Sequence, residues 1–220
     1  GGGFVFDCPL VLAQALTDRL GFYKLRAKVS VDNLSSQLGV MAAWGGTPAM
    51  TPDLAFEDPR DPQLGWRIFV PDDLVDETAA AINAEVTESD AYETHRIAGG
   101  VPRGGVDFIY SDAFPHETNM DRLHGVDFDK GCYVGQEVVS RMEHRGTART
   151  RTIRVRLGGS VPEIGLPVNA GDKPVGTMGS SANGLGLALL RTDRVSDALD
   201  AGLAMTAGGL PISLVSPDDV

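Results

Sequence analysis

The chain has 220 residues, 42% hydrophobic and 22% charged, which fits one large globular domain or two modest ones and excludes a disordered chain. Its 27 glycines and 13 prolines predict many turns without reaching low complexity. Nineteen basic against thirty acidic residues leave a net charge of −11, which opposes broad attraction to nucleic acid or to anionic membrane, so a polyanion would need a local basic patch. Direct nucleic-acid binding is therefore not expected, nor is membrane insertion, because no apolar run approaches the roughly 18–20 residues of a spanning helix. Cys8 and Cys132 form neither a disulfide framework nor a zinc-ligand spacing. They predict free thiols in a reducing compartment. With no secretory pattern in the first residues, the expected location is cytoplasmic.

In chain order, residues 4–7 read as a short apolar strand met without lead-in. Pro9 then opens a helix with an apolar stripe at Leu10, Val11, Ala13, Leu16 and Leu20, stopped at Gly21. Residues 22–31 alternate basic and apolar side chains as a half-buried strand does, with a start as late as Ala27. Residues 38–44 and 66–70 read as two central strands separated by a Pro-rich stretch. Asp72 or Asp73 caps a helix to about Ala84, and Thr87 with Asp90 resembles a capping box for a helix to about Ala98, closed by Gly99-Gly100. Residues 101–130 are irregular and long enough to favour a functional loop. A short helix follows Gly135 and ends by Gly146. From Arg149 onward, short alternating segments at 151–157, 166–168 and 186–190 predict a small all-β module with an acidic tail.

The string Asp129-Lys130-Gly131-Cys132-Tyr133-Val134-Gly135-Gln136-Glu137 places a cysteine between glycines, beside a lysine and just before a helix. A helix start and a lysine favour thiolate, so Cys132 reads as a nucleophile, a metal or cluster ligand, or a redox-sensitive group. The plain alternative is a small buried residue between two turn glycines. A Cys–His hydrolase would need a base from among His95, His116, His124 and His144, none of which the sequence places beside Cys132. Arg141, Arg145, Arg149, Arg151, Arg154 and Arg156, with His144, form a local basic run that reads either as a receptor for a carboxylate tail or phosphates or as a solvated basic face. Asp58-Pro59-Arg60-Asp61-Pro62 leads rigidly into Leu64-Gly65-Trp66-Arg67, with ion-paired arginines as its simplest role. Glu117, in Pro115-His116-Glu117-Thr118-Asn119, is a carboxylate suited to hydrogen-bond a heterocycle.

At these residues the sequence resembles the YgfZ family of folate-binding proteins. That family is related to the aminomethyltransferase (T-protein) of the glycine cleavage system and to mitochondrial iron–sulfur assembly factors. The resemblance rests on 130–137 and, in order, on 22–29, 58–60, 64–67, 96–102, 115–119 and 186–191. It implies an α+β fold: a T-protein-like folate-binding domain over 1–148, its N-terminal part not represented, and a small C-terminal β-barrel over 149–220. It further implies tetrahydrofolate or a related folate as cofactor, and a role in assembly or repair of iron–sulfur enzymes, including those that modify tRNA. Such client enzymes are the expected protein partners. On this likeness Cys132 and Lys130 act together, Glu117 faces the pterin edge and Tyr133 stacks or packs. Gln136, Glu137, Arg141 and Arg145 complete the expected cofactor-binding set. The T-protein relatives lack the cysteine of the signature loop, and a folate-dependent aminomethyl or one-carbon transferase is the alternative activity.

Overall fold

In the computed structural model of the chain, residues 2–145 and 149–216 are described, His144 and Arg145 by backbone alone. The expected helix stop at Gly146 and the acidic tail at 217–220 lie outside the described residues. The chain divides into two compact units, one of residues 1–58 and 65–86, the other of 59–64 and 87–220.

In the first unit, helix α1 (Ala13–Tyr23) follows a single 3₁₀ turn. Leu12, Leu16 and Leu20 are its half-buried stripe, one residue every four. The helix runs through Gly21 rather than stopping there. Residues 24–38 then form turns and irregular chain, and 4–7 are likewise not a strand. Alternation alone did not make a strand of 22–31, because a strand needs a neighbour to receive its hydrogen bonds and no ladder includes these residues.

Strands β1 (Gly39–Ala43), β2 (Ala55–Glu57) and β3 (Trp66–Val70) pair antiparallel in the order β1-β3-β2. Only β3 is therefore central, whereas β1, expected to be central, is an edge. Ile68 and Val70 are buried on one face of β3. Gly65 holds φ +77° at the entry to β3, where a Cβ would strike the Ala43 carbonyl. That accounts for glycine in Leu64-Gly65-Trp66. Helix α2 (Val75–Ala81) is shorter than the sequence predicts, its first expected turn being 3₁₀ over Asp72–Leu74.

In the second unit, α3 (Ser89–Ala98) starts after Glu88 with no side-chain cap bond, so Thr87 and Asp90 do not form the expected capping box. Gly100, at φ +75°, turns the chain out of it. A long irregular segment leads to α4 (Gln136–Arg145). Six strands, β4 (Thr150–Leu157), β5 (Pro167–Ala170), β6 (Lys173–Ala182), β7 (Leu185–Arg191), β8 (Met205–Ala207) and β9 (Leu210–Leu214), then close an antiparallel barrel in the order β4-β7-β6-β5-β8-β9. Closure leaves no edge strand.

Asn183 and Gly184, both at positive φ, make the tight β6–β7 turn. Ile153, Val155, Val168, Val175, Met178, Leu190 and Ile212 belong to the buried barrel core, each such side chain being worth roughly 1.5–3 kcal/mol of burial. The module is not all β. Helix α5 (Thr192–Asp200) lies between β7 and β8 and contributes Val195 and Ala198 to that core. No described helix is long and apolar enough to cross a membrane.

Candidate functional site

Residues 114–121 form a compact turn pinned to strand β4. The Glu117 carbonyl accepts from the Thr152 amide at 2.8 Å and from its hydroxyl at 2.9 Å. The Asn119 side-chain amide donates to the Thr152 carbonyl at 2.8 Å, with Asn119 itself at φ +57°. Arg151 adds a fork to Asp121, Nη1 to Oδ1 at 3.1 Å and Nη2 to Oδ2 at 2.7 Å, and also donates to the His116 carbonyl at 3.1 Å. Both carboxylate oxygens of Asp121 are thus held by one guanidinium. Burial pushes the Asp121 carboxyl up, but the hydrogen bonds and charge of Arg151, with His116 nearby, outweigh it and hold the carboxyl below its ordinary range.

Within this turn the Glu117 carboxylate accepts the Phe114 amide through Oε2 at 2.9 Å. That bond leaves Oε1 open and the group half-buried. An open carboxylate oxygen of this kind can accept from the N–H edge of a heterocycle. A cleft of about 280 Å³ in the same unit is lined by Asp61, Gln63, Gly99, Asn119, Arg122, Leu123 and Arg154. Glu117 is not among its lining.

The Cys132 loop is built from its own backbone. Asp127 Oδ1 accepts the amides of Asp129 and Lys130 at 2.9 and 3.1 Å, an Asx turn that opens the loop. Lys130 Nζ sits 5.1 Å from the centre of the Tyr133 ring, a cation–π arrangement. The Tyr133 amide donates to the Gln136 side chain at 3.1 Å while the Gln136 amide donates to the Tyr133 carbonyl at 3.2 Å. This reciprocal pair closes the turn that leads into α4. Gly135, at φ +91°, turns the chain into α4, and Val139 anchors that helix by burial.

Cys132 is a free, exposed thiol, and Val134 beside it is fully exposed. The reading of Cys132 as a small buried core residue is therefore wrong. The loop spends its polar groups on its own turn and displays the thiol to solvent.

Of the site residues expected from the sequence, Lys130 lies over the Tyr133 ring and Tyr133 bonds Gln136, in the segment that carries Cys132. Glu137 and Arg141 are exposed on α4. Glu117 makes its described contacts with the 114–117 turn and with β4, and the side chain of Arg145 is not described. Two members of the arginine run are engaged separately. Arg151 is bound to Asp121, and Arg154 donates to the Ala98 carbonyl at 3.0 Å, satisfying the end of α3. In the Asp58–Arg67 string, Arg60 donates to the Tyr92 hydroxyl at 3.0 Å and Arg67 pairs with Asp7.

Sequence reasoning missed His116 as a contact residue. Its side chain is 1% exposed, its Nε2 lies 3.1 Å from Glu143 Oε2 on α4, and its ring centre lies 6.2 Å from that of Phe128. One ligand atom each of His116, Asp121 and Glu143 lie within 4.8 Å of one another. Arg151 already bonds both oxygens of Asp121, so a cation there would sit beside a guanidinium charge.

These features define an α+β protein of T-protein type ending in a six-stranded barrel. The fold is similar to the crystal structure of glycine cleavage system aminomethyltransferase T from Bartonella henselae, with a TM-score of 0.51 over 71% of this chain and 46% of that one, at 14% identity. Residues 149–220 match the CAF17 C-terminal β-barrel domain.

Among curated proteins, the chain is 31% identical over 213 residues to the mitochondrial iron–sulfur cluster assembly factor IBA57 of Mus musculus, covering 89% of this chain and 58% of that protein. The Homo sapiens IBA57 gives 30% over 213 residues, 90% and 59%. The IBA57 homologue of Mycosarcoma maydis gives 38% over 150 residues, 66% and 36%. The chain is similar to proteins of the CAF17/IBA57 type: its barrel matches the one and the relatives named here are the other, a group to which the YgfZ proteins are related. It spans between about a third and three fifths of their length. These relatives are mitochondrial by name, which overturns the expectation of a cytoplasmic location. The expectation of a reducing compartment, drawn from two unpaired cysteines, does not distinguish one such compartment from another.

Proposed function

We propose that the protein acts in iron–sulfur cluster assembly, with Cys132 as its functional thiol and iron–sulfur enzymes, tRNA-modifying ones among them, as clients. The observation that carries this reading is a free, exposed cysteine in the segment before α4 in a chain whose relatives are named as assembly factors for such clusters. Thiolate is the ligand that iron and its sulfide clusters take. One cysteine supplies one of the four ligands a cluster uses, so the others come from a partner or client. Lys130 and Tyr133, on either side of Cys132 in sequence, pack on each other, and the Gln136 side chain fixes the loop at the helix start.

A folate belongs to the same proposal. Glu117 would hold the pterin edge through Oε1 while Oε2 stays on the Phe114 amide. Bound there, a reduced folate supplies one-carbon carrier chemistry, and the chain's contribution is to orient the ring. The test is replacement of IBA57 in cells lacking it by this chain or by its Cys132→Ala form, read as the activity of a cluster-dependent enzyme. Activity restored by the parent and not by the variant is expected. Calorimetric titration with tetrahydrofolate tests the second part, with Glu117→Gln expected to weaken binding by about tenfold, the loss of a charged acceptor.

A further inference from the structure

His116 is the least exposed polar side chain near the Cys132 loop, at 1%, and no role in the proposed chemistry accounts for it. Its contacts fall on either side of that loop. Before the cysteine, the Phe128 ring packs against the imidazole. After it, Glu143 on the last turns of α4 takes Nε2 at 3.1 Å. The His116 backbone is itself tied down, since its carbonyl accepts from Arg151 on β4 and from the Asn119 amide. The segment 128–143, which contains the Lys130–Glu137 motif and most of α4, is therefore closed on one buried ring fastened to the barrel.

We propose that His116 is the positioning residue of the Cys132 segment, a buried imidazole to which Phe128 and Glu143 fasten the two ends. Its importance to activity rests on the reading of Cys132 as the functional thiol; the fastening itself does not. The ring nitrogens divide the work. With the proton on Nε2, the imidazole donates to Glu143, and the other nitrogen, Nδ1, which is buried and has no partner, carries only a lone pair. This tautomer avoids leaving a buried N–H unsatisfied. Among the described residues, Val139 is the buried apolar residue of α4, and a Cβ built on Gly131 or Gly135 would meet nothing within 4 Å, so the loop backbone at these two glycines is not packed against a neighbour.

The experiment is amide hydrogen exchange on the full chain and on Glu143→Ala and Phe128→Ala. Both replaced side chains are partly exposed, so neither variant threatens the core. Each is expected to speed exchange over residues 129–143 by about fivefold while strands β4 and β7 keep their rates. His116→Leu removes the bond to Glu143 and should match Glu143→Ala over α4, and His116→Gln, which restores a donor toward Glu143, should recover slow exchange there. Unchanged rates over 129–143 in both single variants, or an equal rise throughout the barrel, would overturn the proposal. Neither outcome depends on cluster assembly. If the exchange result holds and Cys132→Ala retains full activity, the fastening stands and the functional reading falls.

Discussion

Arg96 of α3 donates to Asp107 at 2.9 Å, and these two side chains are 2% and 1% exposed. The pair is completed on every side. Arg96 also reaches the Val101 carbonyl, Glu93 and the Ser180 hydroxyl on β6. Asp107 Oδ1 accepts the Ser180 amide and hydroxyl at 2.6 and 2.7 Å, and its Oδ2 accepts the Arg103 amide. A buried pair with its remaining donors and acceptors satisfied joins α3 to the barrel wall and seats the long loop that follows. Removing one partner leaves a buried charge without compensation. Arg96→Met or Asp107→Ala is expected to cost about 3–5 kcal/mol of stability, measured by urea unfolding, while Ser180→Ala costs about 1 kcal/mol.

Gly179 marks the same contact from the strand side. A Cβ there would overlap Asp107 Oδ1, a group fixed by its own bonds. Gly179→Ala is therefore expected to lower stability by about 1–3 kcal/mol, although alanine ordinarily favours a strand over glycine. A melting temperature equal to that of the parent would show that Asp107 yields.

The Asp121–Arg151 fork predicts a defined acid response. The Asp121 carboxyl is held below its ordinary value of about 3.9, burial being outweighed by the Arg151 hydrogen bonds and charge. The folded state thus binds this proton less readily than the unfolded one. The contribution to stability is complete above the unfolded value and is lost as pH falls through the lower folded value. Arg151→Met should flatten that part of the stability curve below about pH 4. At neutral pH it should cost about 2–4 kcal/mol, because both partners are largely buried. Urea midpoints measured between acid and neutral pH check both statements.

Local patterns carried much of the fold. The 66–70 strand, the helix to Ala98, the helix after Gly135 and the onset of the barrel strands were legible because each has its own periodicity and its own stop. Helix α5 was not, since a nine-residue helix with two buried positions leaves a faint stripe among strands. The alternation of 22–31 misled, because half-burial is conferred by a neighbour that the sequence does not display. In the site, Cys132 and its glycines were visible as a string. Its exposure was not, and neither was the link from His116 to Glu143, 27 residues apart. The arginine run was read as one patch, whereas its members face different partners, Asp121 for Arg151 and the end of α3 for Arg154.

The two cysteines allow a controlled comparison, since both are free and exposed and neither supports a core. Cys132→Ala and Cys8→Ala should each leave the melting temperature within about 2 °C of the parent, as substitutions at exposed sites do. The most direct measurement is the activity of a cluster-dependent enzyme in IBA57-deficient cells supplied with the parent, Cys8→Ala or Cys132→Ala at equal abundance. The parent and Cys8→Ala are predicted to restore that activity, and Cys132→Ala to leave it at the deficient level. Equal restoration by all three would contradict a role for the Cys132 thiol.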